Sequence, residues 1–185
     1  MPISLAAYRA LTVLLATVGL AACGVNVHTD EQNGKADVDI QTPVGALSVH
    51  TDSVPPDTGL PVYPGAQPSH NRNGTPENAD VNIASPLFGG VKVTAASFEH
   101  DDEPQAIVEF YKDKLKAYGD VMECHGNVDF KHRDGARRPV CKERSWTSEV
   151  QLVTGTEEQH RIVVVKPRGS GSEFSVVYVQ TSVQD

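Results

Sequence analysis

One stretch of this 185-residue chain has the period of an amphipathic helix, and the segments around it have the period of strands. In residues 104–118, Ile107, Val108, Phe110, Tyr111, Leu115 and Tyr118 fall on one broad stripe at spacings of three and four. The ends agree with the period. Asp101, Asp102 and Glu103 crowd the start, where the helix dipole favours anions, and Pro104 suits the first turn. Lys112, Lys114 and Lys116 favour the end, and Gly119 suits the C-terminal cap.

Before that helix, residues 36–51 predict a hairpin. Val38 and Ile40 alternate with acids, and Leu47 and Val49 alternate with polar residues. Thr42-Pro43-Val44-Gly45 between them suits a type I turn. Residues 60–66, LPVYPGA, carry two prolines and predict an edge strand or an extended loop, and the Asn-, Gly- and Pro-rich residues 67–79 predict a surface loop. Strands are expected near 80–85 and 91–98. After the helix they are expected near 120–124, 148–154, 160–166 and 173–182. Ile162 to Val165 is continuously apolar, as in a strand buried on both faces. Strands, one helix, then more strands imply one α+β domain over 36–185. Its sheet is mostly antiparallel, one main amphipathic helix packs on one face, and the N-terminal hairpin precedes it.

The first 22 residues stand outside that domain. Residues 1–9 carry Arg9 and no acid, and residues 10–22, ALTVLLATVGLAA, are apolar or small throughout. A positive start and a short apolar run make a secretory signal. The run holds 13 residues, whereas a membrane-spanning helix needs about 20. Leu20-Ala21-Ala22-Cys23 resembles the lipobox of bacterial lipoproteins. The resemblance implies a diacylglyceryl group on the Cys23 sulfur, cleavage before Cys23 and acylation, such as palmitate, on the new amine. Two or more acyl chains hold a protein stably where one does so marginally. In an organism with two membranes, Gly24 in place of an Asp favours the outer one. Residues 23–35 are then the lipidated Cys and a flexible tether reaching at most about 40 Å.

Two stretches carry a second resemblance. Leu60-Pro61-Val62-Tyr63-Pro64-Gly65-Ala66 and Phe110-Tyr111-Lys112-Asp113-Lys114-Leu115, with Gly119 behind, resemble an uncharacterised group of bacterial envelope lipoproteins. The likeness covers roughly residues 36–166 and implies export and an α+β module. It implies no catalytic or binding residue.

With Cys23 lipidated, Cys124 and Cys141 remain, and outside the cytoplasm two such thiols pair. The bridge would staple the turn-rich segment GNVDFKHRDGARRPV. The alternatives are free thiols or a zinc site from Cys124, His125, His132 and Cys141, whose spacing fits no standard zinc motif. The same segment concentrates base in an acidic chain: Lys131, Arg133, Arg137 and Arg138, followed by Lys142 and Arg144. Such a cluster reads as a solvated loop or as a contact site for an anionic partner.

Other candidates carry less. The His residues are scattered singly, and no linear zinc-protease, nucleophile-elbow or phosphate-loop motif is present. Asp57-Thr58-Gly59 matches the aspartic-protease triplet but follows Pro55-Pro56 and has no second copy. The run Glu99–Glu103 suits helix capping better than calcium. Tyr63, Phe88, Trp146 and Tyr178 could line a pocket, although aromatics at 6% are needed for the core. Losing Arg9 with the signal takes the net charge from −8 to −9, which disfavours nucleic acid. The expectation is an exported, membrane-anchored, non-enzymatic module without a cofactor, binding an envelope protein or polymer. A small-molecule carrier with a pocket between helix and sheet is the alternative, and an enzyme of another kind comes third.

Overall fold

The structure is a computed structural model that describes residues 24–30, 35–51, 56–70, 77–85, 89–143 and 148–182. Residues 1–22, which the sequence reads as a signal, and Cys23, Phe88, Arg144 and Trp146 lie outside the described residues.

The strands are β1 (Gly24–Asp30), β2 (Lys35–Thr42), β3 (Gly45–Thr51), β4 (Gln67–Pro68), β5 (Asn78–Ser85) and β6 (Gly89–His100). Helix α1 (Pro104–Leu115) follows and tightens into a 3-10 turn over Lys116–Tyr118. Then come β7 (Met122–Cys124), β8 (Gly126–Arg133), β9 (Ala136–Glu143), β10 (Val150–Gly155), β11 (Gln159–Arg168) and β12 (Gly171–Ser182). The main sheet runs β1-β2-β3-β5-β6-β12-β11-β10-β7, with β4 beside β6, and β8-β9 form a separate ribbon. The pairings are antiparallel, so the expected α+β class, mostly antiparallel with one main helix, is what the chain adopts.

The helix lies on one face of the C-terminal half of the sheet. Ile107, Val108, Tyr111 and Leu115 are buried against Ala96, Phe98, Leu152, Val163, Val165, Phe174 and Val176. Register makes these sheet residues neighbours: Phe98 sits opposite Phe174, which faces Val165, and Ala96 opposite Val176, which faces Val163. The Phe98 and Phe174 rings stack at 5.5 Å. Ile162 and Val164 point to the other face and are half-buried.

Of the two alternatives for the LPVYPGA segment, the extended loop is what forms. It is a strap across the open side of the helix. Leu60, Tyr63 and Ala66 pack against the core, with the Tyr63 ring edge-on to Phe110 and Phe174. The Tyr63 hydroxyl donates to Asp102 at 2.7 Å. Acids at the helix start are therefore used differently from the sequence expectation. Glu103 is the N-cap and makes no side-chain cap bond, while Asp102 holds the strap. Tyr118, expected on the buried stripe, is exposed; its ring carries the Arg161 guanidinium at 3.7 Å, and its hydroxyl donates to the Gly59 carbonyl.

Three expectations are corrected. Residues 24–35 are not all tether, because Gly24–Asp30 pair in full with Lys35–Gln41 as β1. The reason is the register, which sets Val25 opposite Ile40 and Val27 opposite Val38 and continues the hairpin's apolar face by one strand. Residues 126–143 are not a mere turn-rich loop. They form the β8-β9 ribbon, and part of the predicted loop at 67–79 holds β4 and the start of β5.

Candidate functional site

The ribbon turns at Asp134-Gly135, both with positive φ (52° and 79°), the conformation a two-residue hairpin turn needs. Alternation then sorts its side chains. On the sheet-facing side, the Phe130 ring lies 4.8 Å from His160, Pro139 is buried, and Cys141 is joined to Cys124 of β7 in a disulfide. The expected Cys124–Cys141 bridge is present, and its sulfurs are no longer available as zinc ligands. His125, the next member of that alternative set, lies 3.7 Å from Glu123.

Arg137 also belongs to the sheet-facing side. Its guanidinium meets Glu157 at 2.7 Å and donates to the Phe130 carbonyl at 2.8 Å, and the Glu157 amide donates to the Arg137 carbonyl at 2.8 Å. It holds the ribbon to the sheet, so it does not share a surface with the other three bases.

Lys131, Arg133 and Arg138 alternate onto the outer side. Lys131 sits directly opposite Arg138, and Arg133 is two residues along. Among the described residues none of the three has an ion-pair partner within 4 Å, whereas Lys142 on the same side reaches Asp129 at 3.3 Å. The Phe130 amide, first, and Lys142, second, hold the Asp129 carboxyl below its ordinary value. Like charges directly opposite on a ribbon are unfavourable on their own. Arg133 and Arg138 border a cleft of about 170 Å³ whose far side is Asp120, Val121, Met122 and Gly155.

The other candidates do not converge. Tyr63 is in the strap and Tyr178 stacks on Arg161 at 4.5 Å, so they form no common pocket. Asp57 accepts from the Gly59 amide in a local turn. Among the described residues no three His, Cys, Asp or Glu side chains are grouped as metal ligands, and no helix is long and apolar enough to cross a membrane. The Asp134-Gly135 pair was the one local signal for the ribbon; the separation of Arg137 from its neighbours needed the alternation that the ribbon imposes.

No family model and no curated protein matches the sequence. Among solved structures the chain is similar to the solution structure of cyanobacterial PsbP (CyanoP) from Synechocystis sp. PCC 6803. The identity is 16% over 88% of this chain and 82% of that one, with a TM-score of 0.25.

Proposed function

We propose that this chain is an exported bacterial lipoprotein, held to the envelope by lipid on Cys23, and that it works as a non-enzymatic binding module. Its contact surface is the outer side of the β8-β9 ribbon, and its partner is an anionic envelope protein or polymer. The anchor is supported by Leu20-Ala21-Ala22-Cys23 behind a short apolar run. The observation that carries the binding reading is the three-base cluster Lys131, Arg133 and Arg138. It sits on a disulfide-stapled ribbon with no ion-pair partner within 4 Å among the described residues, in a chain whose net charge is −8.

The test is retention of envelope components by the lipidated full-length protein at low and high salt. Partner binding should weaken with salt, fall in the Lys131→Ala/Arg133→Ala/Arg138→Ala variant and persist when only Arg137 is changed. Binding that is indifferent to the triple change would refute the reading.

The carrier alternative has one observation in its favour. The Tyr111 hydroxyl is buried, makes no well-formed hydrogen bond among the described residues, and Tyr111 lines a cavity between strap, helix and sheet. Burial raises its pKa, so it stays a neutral donor. The cavity measures about 150 Å³. Ligand pockets usually run from about 300 to 1,000 Å³, so this one has room for a few waters or a very small molecule.

A further inference from the structure

The N-terminal strands add a surface that the ribbon does not explain. Register aligns two apolar rows across β1, β2, β3, β5 and β6: Val25–Ile40–Leu47–Ile83–Val91 and Val27–Val38–Val49–Val81–Val93. These rows lie on the face opposite the helix, because Thr94, Ala96 and Phe98 of β6 take the other parity and the last two pack under it. The opposite parity in the extension is polar. Asp39, Ser48, Asn82 and Lys92 form one row there, and Asp37, His50 and Asp80 another.

An antiparallel sheet ordinarily covers its apolar face. Here no row residue of β1, β2, β3 or β5 is buried, and Val25, Val27 and Ile83 stand 62%, 61% and 45% exposed. The rows carry no charged side chain, although the protein as a whole is strongly acidic. Asp37, Asp39 and Asp80 are all turned the other way.

We propose that this apolar face rests on the lipid bilayer. The proposal rests on the anchoring reading of Cys23. Gly24, the residue bonded to Cys23, is the first residue of β1, and one residue spans only about 3.8 Å. A lipid on Cys23 therefore brings Val25, the first member of one row, to within about two residues' reach of the interface. There is little slack for the domain to stand away from the membrane, and of the two faces that start at the anchor the charge-free one is the face that lipid can cover. An interfacial contact of this kind adds buried apolar area to the acyl chains and fixes the domain's orientation. It also directs the acidic face into water, away from anionic headgroups.

The experiment uses full-length protein extracted from membranes and returned to vesicles. Cys124 and Cys141 are bonded and Cys23 is capped by lipid, so a cysteine introduced at Ile83 or Asn82 is the one thiol open to a polarity-sensitive fluorophore. Intact mass is read on the same sample. The expected result is a blue shift and loss of intensity to lipid-borne quenchers for Ile83→Cys, with Asn82→Cys behaving as in water. Val27→Cys repeats the measurement should Ile83→Cys fold poorly. A lipidated chain with positions 83 and 27 as wet as 82 overturns this inference and leaves the anchor standing. A label at 83 that is dry, unquenched by lipid and close to the label of a neighbouring molecule assigns the face to a second copy and overturns it too. A chain whose mass shows no lipid on Cys23 overturns the anchoring reading, and this inference with it.

Discussion

Reducing the Cys124–Cys141 bridge should cost the protein about 3 kcal/mol. The two cysteines are 17 positions apart, and in the chain-entropy model a loop of that length takes about 10 cal/mol/K from the unfolded chain, or about 3 kcal/mol at 25 °C. For a domain of this size that lowers the thermal midpoint by roughly 6–12 °C. The effect should spread beyond the ribbon, because β9 is tied through the bridge to β7, which is the edge of the main sheet beside β10. The Phe130–His160 contact, the Arg137–Glu157 pair and the Glu157 amide bond to Arg137 remain after reduction. The assay is urea and thermal unfolding of oxidised and reduced protein, with the two-hydrogen mass change confirming reduction. A Cys124→Ala/Cys141→Ala variant should fall at least as far, because Cys124 is buried and its sulfur leaves a void. An unchanged midpoint in fully reduced protein would refute the reasoning and make the ribbon a self-supporting element.

Arg137→Ala should cost about 1 kcal/mol, since its ion pair is half-exposed and screened while its bond to the Phe130 carbonyl is lost as well. Arg138→Ala should change urea stability by less than about 0.5 kcal/mol, because it removes only a like charge opposite Lys131; equal losses at both positions would contradict the sorting of the ribbon's faces. Burial holds the His160 imidazole below its ordinary value of 6.5, so the unfolded chain binds its proton first as pH falls. Stability present above pH 6.5 is therefore lost progressively below it, and His160→Asn should flatten that loss; unfolding curves at pH 7.5 and 5.5 that shift equally in both proteins would disprove the assignment. Tyr63→Phe keeps the strap's ring contacts and should lose about 1 kcal/mol or less with the Asp102 hydrogen bond, whereas Tyr63→Ala should lose several times more in the same urea titration.

How far the sequence could be read follows from what each element packs against. The helix was legible at both ends because its stripe, its proline and its glycine agree, and the structure places it at Pro104–Leu115 with the turn to Tyr118. The 36–51 hairpin was legible because two apolar alternations flank a Pro-Gly turn, and the last three strands because their apolar residues meet the helix. Strand β1 was not, because Val25 and Val27 are too few to stand out and their meaning lies in the register with Ile40 and Val38. The ribbon hid for a different reason. Only one side packs, and a disulfide and a salt bridge supply part of what apolar residues supply elsewhere, so its strands read as basic and turn-rich. The candidate site was legible as a cluster of bases, but which bases share a surface became visible only through the pairing of Lys131 with Arg138.

Native mass spectrometry of the full-length protein, gently extracted from its own membrane, tests whether the chain is a lipid-anchored module that works by binding. The predicted result is a chain cut before Cys23, heavier by its acyl groups, lighter by two hydrogens for the Cys124–Cys141 bridge, and carrying a partner that salt removes. An uncut chain without lipid, or a lipidated chain that carries no partner at any salt concentration, would contradict it.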